Sequence, residues 1–212
     1  MEIFNVNRQA YQHLGVLPWT SKPAPNTVPI GTRFTSSTER YSDWWSNGLS
    51  WLPVDGSQVV HAPTLVSATA QSASLALVAS VPGWTMPSDM ASIPGLHVDV
   101  EAIATFTNPS AAQARSVRVK TGSTGPFVIY GTLIVGATPL LVLRGRGHRR
   151  SDSTDFVRPG YNEQLMSSSV FDTVSAANLT SGPISLWYQG GNSDGSEIAT
   201  FHSFSISVGI GT

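Results

Sequence analysis

The chain has 212 residues, of which only 12% are charged, with a formal net charge of -1 and no cysteine. A balance this even argues against a general nucleic-acid or membrane-surface partner, since both demand a basic excess. The lack of thiols excludes disulfides, thiolate metal sites and a cysteine nucleophile.

Charge at about half the usual share, beside abundant Gly, Pro, Ser, Thr and Ala, gives a surface that is hydroxyl-rich rather than ionic. Such surfaces belong to extracellular, fibrous and virion β proteins. The opening MEIFNVNRQAYQHLGVL carries an acid at position two and no apolar core of signal-peptide length, and no later stretch approaches a membrane span. The expectation is synthesis in a host cytoplasm, no membrane insertion, and release by lysis.

Asn5 or Asn7 is placed to cap a short helix through Gln9, Tyr11 and His13, stopped by Gly15 with Pro18 beyond. Leu17 to Pro29 holds four prolines in a polar setting, which reads as an extended arm of the kind that lies on a neighbouring subunit. Residues 1–28 are therefore expected to anchor the chain to other proteins of an assembly. Within 29–56, Arg33 to Ser36, Tyr41 to Trp45 and Leu49 to Val54 are strand candidates around the turn dipeptide Asn47-Gly48. This small aromatic β-meander concentrates Trp44, Trp45 and Trp51. A unit of roughly 25 residues buries too little surface to cover three indoles alone, so cover from symmetry mates or another protein is expected. Exposed indoles are also candidates for stacking on sugar rings.

Residues 57–92 read as a connecting segment with one strand, Ser74 to Val81, ended by Pro82-Gly83. From Ile93 to Asn108 the chain reads IPGLHVDVEAIATFTN. Val98, Val100, Ala102, Ala104 and Phe106 share one face and Asp99, Glu101, Ile103 and Thr105 the other, the period of a half-buried strand. Further candidates are Arg115 to Lys120 (Val117 and Val119 inward), Phe127 to Val135, Pro139 to Arg144, Val170 to Val174, Ile184 to Tyr188 and Ile198 to Val208. In the last of these Thr200, His202, Phe204, Ile206 and Val208 share one face by period. With Ser74 to Val81 that makes about eight strands, right for an antiparallel sandwich over 93–212.

The densest polar cluster is Arg144, Arg146, His148, Arg149 and Arg150 in LRGRGHRRSDSTD. Glycines at 145 and 147 permit a loop from which guanidiniums fan out, either as a clamp for anionic groups or as a strand-end loop paired with Asp152 and Asp155 or buried in a subunit contact. Asp99 and Glu101 sit about 6 to 7 Å apart by strand rise, a separation found in glycosidase pairs. Any strand with two outward acids has that spacing, so solvated residues are the expectation. Asp172, Asp194 and Glu197 show no calcium-loop spacing. His13, His61, His97, His148 and His202 show no zinc spacing, and no Ser sits in a GxSxG elbow. No catalytic residue, metal or cofactor is therefore assigned. Trp187 and Tyr188 are adjacent on a strand, so one must be core and the other surface.

Two stretches resemble known virion modules. Pro29 to Val54 is similar to a short aromatic segment of tailed-phage virion proteins, with Gly31, Thr32, Phe34, Asp43, Trp45, Asn47, Gly48, Ser50 and Trp51 at the matching positions. Ile93 onward resembles the C-terminal jelly-roll domain of phage head fibres, head spikes and tail fibres, through Ile93-Pro94, the stop Thr105-Phe106-Thr107-Asn108 and Arg118 to Gly122. Ala104-Thr105 stands where the family has Gly before the aromatic residue, and a single Gly122 replaces its usual pair. The resemblance implies an all-β jelly roll per subunit, a homotrimer, and display on a virion surface. A head spike, head fibre or capsid decoration protein is the expected role, with host polysaccharide as a candidate ligand. The alternatives are a tail-fibre receptor-binding protein, a β-sandwich carbohydrate-active enzyme and a free lectin.

Overall fold

The computed structural model describes residues 12–54, 57–65, 68–108, 115–121, 127–134, 139–149, 155–158, 172–175, 180–191 and 196–210, with the backbone path alone for 127–134, 148–149, 155–158 and 172–175. The protein is all-β, its described strands gathered in two four-stranded sheets and one seven-stranded sheet.

The N-terminal sheet has the order β1 (His13–Leu17), β2 (Arg33–Ser36), β3 (Ser42–Ser46), β4 (Trp51–Pro53). The last three form an antiparallel meander, and Asn47 makes its turn: the Asn47 Oδ1 accepts from the backbone N–H of Leu49 and of Ser50 while Gly48 takes φ +88°. β1 runs parallel to β2, which requires a crossover. The proline-rich segment supplies it as two 3-10 turns, Trp19–Ser21 and Pro25–Thr27. The expected helix lies mostly outside the described residues, and its described end is corrected: His13 begins a strand, because Leu14 and Leu17 pack on the core and the backbone pairs with β2.

Residues 18–28 lie back on their own sheet rather than extending from it. Trp19 is buried, with its ring 4.6 Å from Trp44 and 5.8 Å from Phe34, and Phe34 stands 4.8 Å from Trp51. Each indole N–H finds an acceptor: Trp44 donates to Ser42 Oγ at 2.8 Å, Trp51 to the Pro23 carbonyl at 3.0 Å and Trp19 to Asp89 Oδ1 at 2.8 Å. The expectation that a neighbouring subunit must cover these indoles is thereby corrected for Trp44 and Trp51. A fourth aromatic side chain, delivered by the crossover, closes the cluster within one chain. Trp45, one position on, faces the other side of β3 and is half-buried.

The remaining strands form a sandwich. Its large sheet has the order β13 (Asp172–Ser175), β12 (Asp155–Arg158), β11 (Leu140–Arg149), β8 (Leu96–Thr107), β15 (Ile198–Ile210), β5 (Ser57–His61), with β6 (Ala68–Ala70) also on β15. The small sheet runs β10 (Phe127–Ile134), β9 (Arg115–Thr121), β14 (Ser185–Gln189), β7 (Ala76–Leu77). All these pairings are antiparallel. Alternation along β8 dictates which face is core: Val98, Val100, Ala102, Ala104 and Phe106 are buried, as their period predicts. They meet Val117, Val119, Leu186 and Tyr188 of the small sheet, with Tyr188 stacked 6.1 Å from Phe106 and edge-on to Phe201 at 6.3 Å. Asn108 ends β8 with φ +55°, a left-handed turn that asparagine tolerates better than most residues.

Two details depart from the sequence periods. A bulge between Phe201 and Ser203 resets β15, so Ala199 and Phe201 join Phe204, Ile206 and Val208 in the core. His202 is thereby thrown out to solvent, where its Nε2 lies 2.8 Å from Thr105 Oγ1. The strand expected over Ser74 to Val81 shortens to β7, since only Ala76 and Leu77 find a ladder partner in β14. A short helix, α1 (Ser88–Ala91), bridges the two halves of the molecule. Its Asp89 accepts from Trp19 and pairs with Lys22 Nζ at 2.5 Å, and Arg40 Nη1 donates across to the Ala62 carbonyl at 2.8 Å.

Between the sheets lies a charged group that the core must satisfy internally. Arg115 and Glu197 are both fully buried and meet at 2.8 Å, and Tyr188 donates its hydroxyl to the same Glu197 oxygen at 2.8 Å. Arg115 also lies over the Phe106 ring, 4.8 Å from its centroid. Burial first, then the hydrogen bond to the Glu197 carboxylate, pushes the Tyr188 hydroxyl far above the ordinary phenol range. Gly190 leaves room for this network, because a Cβ there would come within 3.1 Å of the Tyr188 hydroxyl oxygen.

Candidate functional site

The arginine cluster is a strand, not a loop. β11 runs unbroken through Gly145 and Gly147, pairing residue for residue with β8 from Leu140↔Thr105 to His148↔His97. The loop expectation is corrected because the glycines occupy core-facing positions of β11: Leu141, Leu143 and Gly147 are buried and Gly145 half-buried, while Arg144 and Arg146 alternate outward. Gly in a strand marks a place where another chain segment approaches closely. The side chains of His148 and Arg149, and Arg150 altogether, lie outside the described residues, as does any pairing with Asp152 or Asp155.

Register decides what Arg144 and Arg146 do. Each stands directly across from an acid on β8, Arg144 from Glu101 and Arg146 from Asp99. Arg144 Nε donates to Glu101 Oε2 at 2.7 Å. Arg146 forks onto Asp99, with Nε to Oδ1 at 2.5 Å and Nη2 to Oδ2 at 2.7 Å, the bidentate geometry that guanidinium favours. The hydrogen bonds it donates to Asp99 hold the Arg146 guanidinium above its ordinary value, against a smaller opposing effect of burial. On the other side of β8 the same rows continue to Ser205 and Ser207 of β15. Val100, Gly145 and Ser207 complete an open groove of about 360 Å³ over the ladder.

This arrangement does not suit acid–base chemistry. A glycosidase pair needs one carboxyl set in an apolar wall or beside a second carboxylate, whereas each acid here faces a guanidinium. The ladder is locally neutral, and an incoming anion would have to compete with a carboxylate already in place. Among the described residues no group of three or more His, Asp and Glu side chains converges on a metal position. Glu197 is committed to Arg115 and Tyr188, while Asp194 and the Asp172 side chain lie outside the described residues.

The next rows of the same face mix apolar and hydroxyl side chains, with Leu140 across from Thr105. Val142 is 42% exposed and Leu140 49%, and Ile103 stands directly across from Val142. The indoles singled out from sequence are divided: Trp44 and Trp51 are internal, and Trp45 is half-buried on the meander's other face. Trp187, not Tyr188, is the surface member of its pair. Its outward position follows from alternation, but its neighbours on β9 and β7 lie 67 or more residues away in the chain and could be found only from pairing.

No family model matches the chain, and no curated protein matches it. Among solved structures one similar chain is titled the CBM2 module of Lactobacillus casei BL23 phage J-1 evolved Dit, at 7% identity and TM-score 0.35, over 74% of this chain and 98% of that one. A likeness of that degree does not establish a common fold, and the functional reading rests on the geometry above.

Proposed function

We propose that the chain is a non-catalytic structural protein of a phage or phage-like particle, displayed on its surface as a head spike, head fibre or capsid decoration, trimeric, and able to bind host-surface glycans. The observation that carries this reading is the outer face of β11 and β8. Single exposed apolar residues need no explanation, but exposed Leu140 and Val142 share one face of β11, with half-buried Ile103 across from Val142, beside a charge ladder that neutralises itself. That is the make-up of a protein contact surface, apolar at its centre and polar at its rim. The central pairing of the first long strand, β8, with the last, β15, agrees with the jelly roll this reading expects. Residues ahead of β1 are assigned to attachment on other particle proteins, since residues 18–28 are committed to their own sheet.

The test is the mass in solution by light scattering at micromolar concentration. Three times the 22.5 kDa of one chain is expected, falling to one chain in Ile103→Lys or Val142→Lys. A monodisperse wild-type monomer overturns the trimer. The reading as a tail-fibre receptor-binding protein shares this fold and surface, and electron-microscopy density of the particle separates head from tail.

A further inference from the structure

We propose that the outer face of the small sheet, centred on Trp187, is a docking platform for a polysaccharide bearing carboxylate or sulfate groups. This rests on the glycan-binding part of the function proposed above and names its site and ligand chemistry.

Trp187 sits in the middle of β14, directly across from Arg118 on β9 and from Leu77 on β7, while Lys120 faces Ser185 on the same side of the sheet. Leu77 is 48% exposed and Trp187 half-buried, so indole and isobutyl group make an apolar strip suited to the C–H face of a sugar ring. The strip is held in place. The indole N–H donates to Ser185 Oγ at 3.0 Å, and Arg118 Nε donates to Ser116 Oγ at 2.9 Å. Across from Arg118 on its other flank is Gly131 of β10, which adds no side chain there. A site whose side chains are already fixed loses less entropy when a ligand arrives.

The charge on this face is what selects the ligand. Among the described residues no ion pair reaches Arg118 or Lys120, in contrast to Arg144 and Arg146. Lys120 Nζ rests instead 4.5 Å from the centroid of the Trp187 ring, a cation–π contact between two half-buried side chains. Burial first, then the neighbouring Arg118 charge, holds the Lys120 ammonium below the ordinary lysine value. An anion between the two cations relieves the second of these, and draws the ammonium off the indole face so that a sugar can take its place. Two cations and one indole are too few for a nucleic acid, which requires a basic track and successive stacking platforms.

The full chain is titrated calorimetrically with four oligomers of matched length: a polyuronate, a sulfated glycan, a neutral glucan and oligothymidylate. Binding of the polyuronate or the sulfated glycan, at least about tenfold tighter than the neutral glucan, is expected. Trp187→Ala should weaken it about tenfold or more, while Trp187→Phe, with an unchanged melting temperature, keeps most of it. Arg118→Gln and Lys120→Gln should each weaken binding and flatten its salt dependence. Equal affinity for the neutral glucan overturns the anionic ligand and leaves glycan binding standing. Anionic binding indifferent to all these substitutions places the glycan elsewhere and overturns the platform alone. Tighter binding of oligothymidylate overturns it in favour of nucleic acid. No glycan bound by a protein of trimeric mass overturns both the platform and the glycan-binding part of the proposed function, without touching the structural part.

Discussion

The sandwich has two outer faces that present the same number of described basic side chains in opposite states. On the large sheet Arg144 and Arg146 stand across from Glu101 and Asp99, and both charges are answered within the sheet. On the small sheet Arg118 and Lys120 stand across from Trp187 and Ser185, and among the described residues no acid answers either. Both arise from outward alternation in antiparallel strands. The difference lies in what the partner strand brings into register, because residues directly opposite are close enough to interact and residues one position off face the other way. A neutral ladder favours contact with another protein; an uncompensated cation pair on an aromatic floor favours an anionic ligand.

The sharpest way to break this comparison is to loosen what holds the two faces apart. Glu197→Ala leaves Arg115 buried without its carboxylate and removes the acceptor of Tyr188. A buried pair broken on one side costs about 3–5 kcal/mol, read as a lower urea midpoint in chemical denaturation. Glu197→Gln keeps an acceptor for Tyr188 and should cost less. Equal stability of wild type and Glu197→Ala would mean that the pair does not fix the sheets together.

A smaller effect sharpens the ladder's role. Asp99 and Arg146 are partly exposed, at 27% and 52% of their side chains, so their coupling is screened by solvent and a double-mutant cycle of Asp99→Asn with Arg146→Gln should give about 0–1 kcal/mol. A coupling of several kcal/mol would make the ladder a stabilising device rather than a neutral contact surface.

The smallest effect is expected at the junction between meander and sandwich. Burial pushes the Asp89 carboxyl up, but hydrogen bonds from Lys22 and Trp19 outweigh it and hold the group below its ordinary value. Its contribution to stability is therefore complete at neutral pH and fades as pH falls below about 4 and through the folded value. Tryptophan emission, reporting on Trp19, should shift over that acid range in wild type and show no such step in Asp89→Asn.

Legibility in the sequence followed local period. β2 and the core face of β8 were readable residue by residue, because a half-buried strand must alternate and Asn108 marks its end. The outward Arg118 and Lys120 and the split between Trp187 and Tyr188 were readable for the same reason. The arginine run was readable as a cluster but not as a strand: Gly145 and Gly147 are turn residues by propensity, and only β8 beside them makes the extended form favourable. The face of His202 is not legible in the sequence, because a one-residue bulge leaves no mark on composition yet inverts every position before it.

The sequence by itself determined that this is an antiparallel β protein, poor in charge, free of thiol chemistry, with indoles gathered near its start. Those properties are sums and short periods, which survive without knowledge of neighbours. Tertiary structure alone decided that Trp19 closes the meander core, that Arg144 and Arg146 are neutralised while no described acid pairs with Arg118 or Lys120, and that Arg115 and Glu197 meet between the sheets. Each of these joins residues about 20 to 80 positions apart through strand register or packing. A side chain's charge is written in the sequence, but whether that charge is answered depends on which strand lies beside it.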